Sequence, residues 1–232
     1  MAKRLLTTLT VVLTLIGCLY SQQNPKSTNN SPSNDDVLFD NDGGRVFVVR
    51  RNDVPWNKLT NHGGPVINQP SQVNIFLGKA WSKTANKSRE GLFTNPLLAI
   101  DAAGKDFLSS HQITFSETEP LSQEALDFTA EGSTINDLQV QSTLNDMFDH
   151  KWLNAPDVNT IYVVFLPPGV QSTLGEMVGG KHYLAYHNFV HLFDVQVHYV
   201  VVPFEPDAKT AQHAAARAII DTALNPAGTG WY

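Results

Sequence analysis

The chain has 232 residues, 42% of them hydrophobic and 16% charged, a composition that supports a packed globular domain. Its net charge of −6 and the absence of any basic cluster exclude a nucleic-acid binder that works by neutralising phosphates. One cysteine, Cys18, excludes an intramolecular disulfide and any site built from several cysteines.

Residues 1–18 read MAKRLLTTLTVVLTLIGC. Lys3 and Arg4 precede an uncharged run from Leu5 to Ile16, and Gly17 stands before Cys18, which is the three-part pattern of an export signal. The run is too short for a membrane span of about 20 apolar residues, so cleavage is expected. Leu15-Ile16-Gly17-Cys18 resembles the bacterial lipobox, and the resemblance implies lipidation of Cys18 after removal of residues 1–17. An ordinary secreted protein is the alternative. Losing those 17 residues, with Lys3 and Arg4, takes the chain to 215 residues and the charge to −8. Two or three acyl chains hold a soluble domain at a membrane, at about 0.8 kcal/mol per buried CH₂. Leu19 after the cysteine, in place of Asp, implies the outer membrane if the host has one. Residues 18–36 form a polar tether that buries too little surface to offset the entropy of ordering.

Residues 37–232 suit a single domain. Strands are predicted at Arg45–Val49, Gln72–Leu77, Thr160–Leu166 and Val195–Val202. The second puts Val73, Ile75 and Leu77 on one face, and the last does the same with Val195, Val197, Tyr199 and Val201. TIYVVFL at 160–166 is apolar on both faces, as a central strand covered by helices must be. Asn95-Pro96 predicts a capped helix running toward Leu108. A capping box at Thr134–Asp137 predicts a helix toward His150. Asp207 is placed to cap the alanine-rich segment Ala208–Leu224, stopped by Pro226 and Gly228. The glycine-rich stretch 167–181 is expected to be a surface connection, with the rim of a cleft as the alternative. Alternating strands and helices predict an α/β fold with a mixed central sheet flanked by helices.

Several segments then point to a family. His62-Gly63-Gly64-Pro65-Val66, the strand Val73–Gly78 with Trp81, the centre Ala155–Val170, the step Tyr186-His187-Asn188, and the ending Gly228-Thr229-Gly230-Trp231-Tyr232 together resemble the Exordium-like (phosphate-induced protein) family, bacterial branch. Many members carry a His-Glu-Leu-Ala-Glu-like stretch before Asp-Pro or Asn-Pro, similar to half of a zinc-peptidase helix. Counting back from Asn225-Pro226, the His falls on Arg217, the first Glu on Ala218 and the second on Asp221. Ala218 offers no general base, and Arg217 puts a permanent positive charge where the metal would sit. This C-terminal helix is therefore expected to keep its packing role and lose its chemistry.

Five of the eight histidines, His182, His187, His191, His198 and His213, lie in the last third. On a strand, His187 and His191 are about 13 Å apart, too far to share one ion. His213 and Asp221 are about 12 Å apart along a helix. No metal site, no catalytic residue and no cofactor are assigned. His187, His213, Arg217 and Asp221 are the candidate pocket residues, and Arg217 with Asp221 is expected to form a side-chain pair. The expected function is a lipid-anchored envelope protein that binds a cell-surface carbohydrate or protein. The alternatives are a metal-dependent, zinc-peptidase-like hydrolase recruiting His187, His191 or His213, and a purely structural surface protein.

Overall fold

The computed structural model describes residues 37–39, 45–51, 54–115, 120–123 and 134–232. The signal peptide and tether expected at 1–36 lie outside them. All described residues belong to one compact unit, Pro32–Tyr232.

The strands are β1 (Val37–Phe39), β2 (Arg45–Val49), β3 (Ser71–Leu77), β4 (Pro120–Gln123), β5 (Thr134–Asn136), β6 (Thr160–Phe165), β7 (Gln171–Leu174), β8 (Met177–Val178), β9 (Ala185–Leu192) and β10 (Val195–Val202). The helices are α1 (Thr84–Glu90), α2 (Ala102–Ser110), α3 (Asp137–Asp149) and α4 (Ala208–Leu224). Seven strands form the main sheet in the order β1-β2-β9-β10-β6-β3-β4, and β5-β7-β8 form a second, small sheet. In the main sheet β10, β6, β3 and β4 run parallel, while β1, β2 and β9 add antiparallel neighbours. The fold is α/β, with a mixed sheet between helices.

Strand alternation sorts the core into two layers. Ile75, Leu77, Tyr162, Val164, Tyr186, Val197, Tyr199 and Val201 face α3, where Val140, Leu144 and Met147 meet them. Phe76, Ile161, Val163, Phe165, Val200 and Val202 face the opposite way, against Ala211, Ala214, Ala215, Ala218 and Ile219 of α4. The alanines give α4 both strong helix propensity and a smooth surface that lies close on the sheet. β6 is buried at every position, which follows from its place between β10 and β3 with a helical layer on each face.

Three expectations are corrected. Asn95 does cap, through Leu97 N, but only a 3₁₀ turn at Pro96–Leu98, and α2 starts afresh at Ala102, where Asp101 accepts from Gly104 N at 2.8 Å. Two capping residues six apart therefore make two short elements in place of one helix. The capping box opening α3 is Asn136 with Gln139, at 2.9 Å in both directions, because Thr134 and Ile135 belong to strand β5. The stretch 167–181 is no plain connection: it contains β7 and β8, and β7 pairs with β5. Asp207 caps α4 as expected, accepting from Thr210 N at 2.8 Å.

Candidate functional site

The site lies on the α4 face, where β2 and β9 meet the second half of that helix. Alternation on β2 turns Phe47 to this face, and the register of β9 places His187 directly opposite it. Their rings stack at 5.0 Å with 11° between planes. From α4, Arg217, Asp221 and the capping residue Asn225 follow one another at four-residue spacing and so share a face.

Arg217 is 4% exposed. Its Nε donates to both carboxylate oxygens of Asp221 at 2.8 Å, and its Nη1 donates to the Val54 carbonyl at 2.7 Å. The guanidinium lies 4.2 Å from the centre of the Trp56 ring. Trp56 is itself fixed by α2, since a Cβ on Gly104 would come within 2.6 Å of its Nε1. A surface i,i+4 pair contributes only about 0.2–0.5 kcal/mol. Here the cation is withdrawn from water and held by a carboxylate, a carbonyl and an aromatic face, so losing any of them costs more.

The roof comes from two remote segments joined by a bridge between Asn61 and Trp231. Thr60 N donates to Tyr232 O and His62 N to Gly230 O, and the His62 ring stacks on Tyr232 at 3.9 Å. Close backbone approach explains the glycines. A Cβ on Gly64 would lie 2.2 Å from the Thr229 carbonyl carbon, and one on Gly230 would lie 2.2 Å from the Leu224 oxygen. Asn225 secures the turn by accepting from Gly230 N at 2.6 Å.

Phe47, Leu59, His187, Arg217, Asp221, Asn225, Trp231 and Tyr232 thus enclose a pocket of ≈ 350 Å³ including its open mouth. The room it offers is ≈ 20 Å³ in all, enough for one water. Three of the four candidate pocket residues converge there. His213 does not: it is exposed, contacts the Ala99 carbonyl at 3.3 Å, and lines a separate, shallower groove with Trp56, Asn57, Asp101, Asp106, Phe107 and Ser110. Two turns of helix separate it from Asp221. Arg217 is the wall shared by pocket and groove.

Burial keeps His187 and His198 uncharged. Burial, with the positive field of His198 and Arg217, pulls His187 down to about 3. His198, on the same face of the sheet, is pulled down to about 4, mainly by burial. His191 is exposed near the far end of β9, so it is no partner for His187. The residues do not fit zinc. A guanidinium fills the centre, and Ala218 faces the sheet with no exposure. Among the described residues no three His, Cys, Asp or Glu side chains are grouped to hold a metal ion.

The sequence reading missed Phe47, Trp56, Asn225, Trp231 and Tyr232 as pocket-forming residues. The glycines flanking the roof were the available signal, since Gly64 and Gly230 mark close backbone approach and Gly63 and Gly228 mark positive-φ turns. No protein-family model matches the chain, and neither a curated protein nor a solved structure is significantly similar to it.

Proposed function

We propose that the chain is an exported envelope protein, anchored by lipid on Cys18, whose α/β domain binds an envelope or extracellular ligand without transforming it. The observation that carries the binding reading is the state of Arg217. Its guanidinium occupies the pocket floor, tied to Asp221 and to the Val54 carbonyl, in the place where a hydrolase would present a base or an activated water. The pocket walls beside it are aromatic and pre-arranged, as a recognition site requires. The resemblance to the Exordium-like family supports the same reading, because where many members carry the His-Glu-Leu-Ala-Glu-like stretch this chain has Arg217, Ala218 and Asp221 and keeps only the apolar positions, Ile219 and Ile220. The lipid anchor rests on the lipobox-like Leu15–Cys18. Among the described residues no helix is long and apolar enough to cross a membrane.

Growth with a labelled fatty acid tests the anchor: label is expected on the protein and is expected to vanish in Cys18→Ser. The purified full chain, mixed with isolated envelope material, is expected to bind it and to release no product. Stoichiometric zinc that disappears in His187→Ala would overturn the binding reading in favour of a hydrolase.

A further inference from the structure

We propose that the groove beside α2 binds a chain of uncharged hexose units through their hydroxyl groups, an assignment that deepens the binding reading and rests on it. The enclosed pocket admits one water, and Asn225 Nδ2, which has no acceptor among the described residues, has no surface open to it. Contacts with a larger ligand therefore fall on the other side of the Arg217 wall, in the groove of ≈ 800 Å³. Sites for small molecules typically measure about 300–1,000 Å³.

Helix periodicity builds one side of the groove. In α2, Gly104 and Leu108 are buried toward Trp56 and the core beneath it. Ala103, Asp106, Phe107 and Ser110, at spacing i, i+3, i+4, i+7, make a second stripe, and all four line the groove. At 1.5 Å per residue the stripe is about 10 Å long, room for about two sugar rings in a row. Lys105 is exposed and falls outside the stripe. Trp56 and Asn57 stand across from it, and Asp101 closes one end as the cap of α2.

Hydrogen-bond valence selects the ligand. Trp56 is 7% exposed, and its indole N–H meets no acceptor among the described residues. That nitrogen is not one of the sealed polar atoms, and the groove is the surface Trp56 lines, so the donor opens there. Acceptors stand nearby. Asp106 makes no ion pair or hydrogen bond among the described residues, and Asp101 gives Oδ1 to Gly104 N at 2.8 Å and keeps Oδ2. An ammonium only donates and leaves the indole N–H unanswered; an anion only accepts and meets two carboxylates. A hydroxyl both donates and accepts. A peptide amide does too, but the α2 backbone is satisfied within its helix and no strand lines the groove, so an extended peptide has no ladder to join. Phe107, partly exposed, offers ring surface to the C–H side of a pyranose.

The full chain in detergent is titrated by calorimetry with cellotetraose, maltotetraose and mannotetraose, with the glucosamine and galacturonic acid tetramers as charged counterparts, and with an uncharged Gly-Ser peptide. At least one neutral tetramer is expected to bind about tenfold or more tightly than the charged tetramers and the peptide. Asp106→Ala, at an exposed residue with no partner to lose, is expected to weaken that binding by about tenfold at unchanged melting temperature. Trp56→Phe keeps a ring and removes the N–H, and a similar loss is expected. Lys105→Ala, outside the stripe, is expected to bind as the parent does. Equal or tighter binding of a charged tetramer or the peptide would overturn the assignment, and so would neutral binding that Asp106→Ala leaves unchanged. Binding to whole envelope material without binding to any neutral tetramer would also overturn it while leaving the broader reading intact. Failure to bind either defeats both.

Discussion

The two faces of the central sheet each hold a carboxylate, buried in Asp137 and part-buried in Asp221, and they satisfy it by different means. On the α3 face Asp137 is surrounded by neutral donors: Tyr199 OH at 2.8 and 2.9 Å, Asn188 Nδ2 at 3.0 Å and Gln141 Nε2 at 2.8 Å. It also stands in the first turn of α3, where the helix dipole favours negative charge. On the α4 face Asp221 meets a guanidinium and borders a pocket. The first arrangement is closed and holds a helix to a sheet. The second stays open to solvent, with an unanswered donor beside it. Buried polarity alone does not mark a candidate site, and neither does an unanswered polar atom, since Tyr186 OH on the α3 face has no partner among the described residues either; the opening is what distinguishes the α4 side.

The strongest way to break this comparison is at Asp137. Asp137→Ala leaves Tyr199, Asn188 and Gln141 without their shared acceptor, and denaturant unfolding is expected to show a loss of about 3 kcal/mol or more. A loss under about 1 kcal/mol would mean that the cluster is not what anchors α3. Next comes Arg217→Met, which removes the guanidinium that donates to both Asp221 oxygens. Because the Asp221 side chain is 22% exposed, water relieves part of the penalty, and about 2 kcal/mol is expected. Pairing it with Asp221→Ala is expected to recover part of that loss, and strict additivity of the two would show that they do not interact.

The faces also fail at opposite ends of the pH scale. His187 and His198 titrate near 3 and 4 in the folded chain, against about 6.5 when unfolded. Between those values the unfolded chain holds the extra protons, so stability falls as pH drops below about 6.5 and continues to fall through about 4 toward 3. His198→Phe is expected to flatten this slope in urea midpoints measured against pH. On the α3 face burial pushes Tyr183 up to about 12, and burial together with Asp137 holds Tyr186 and Tyr199 well above the ordinary value. Unfolded tyrosines lose protons above about 10, so stability falls as pH rises past that point. Tyr199→Phe is expected to reduce the alkaline slope and leave the acid one unchanged. This is the smallest of the effects, and crossed dependence, with Tyr199→Phe altering the acid limb, would erase the separation of the faces.

Much of the fold was legible because periodicity and caps are local. Val195, Val197, Tyr199 and Val201 share a face in the structure as their spacing requires, and Asp207 caps α4 where it was placed. β9 was harder, since AYHNFVHL mixes polar and aromatic residues on both faces. Its His187 and Asn188 are buried by neighbours that only the sheet order supplies. Arg217 and Asp221 were legible as a pair from four-residue spacing, but their burial was not, because Trp56 and the Val54 carbonyl arrive from more than 160 residues away in sequence. Asp137 passed as part of a helix start, for the same reason: Tyr199 lies 62 residues downstream.

The strand order carries a kinetic consequence. β2 pairs with β9 and β10 with β6, so the sheet closes only through contacts between distant stretches of chain, the kind that slow folding most. A topology whose nucleus needs widely separated strands keeps the chain unfolded for longer, which under the export reading proposed above would leave it threadable for longer. The same arrangement that hides Arg217 from a reader of the sequence delays the closing of the sheet.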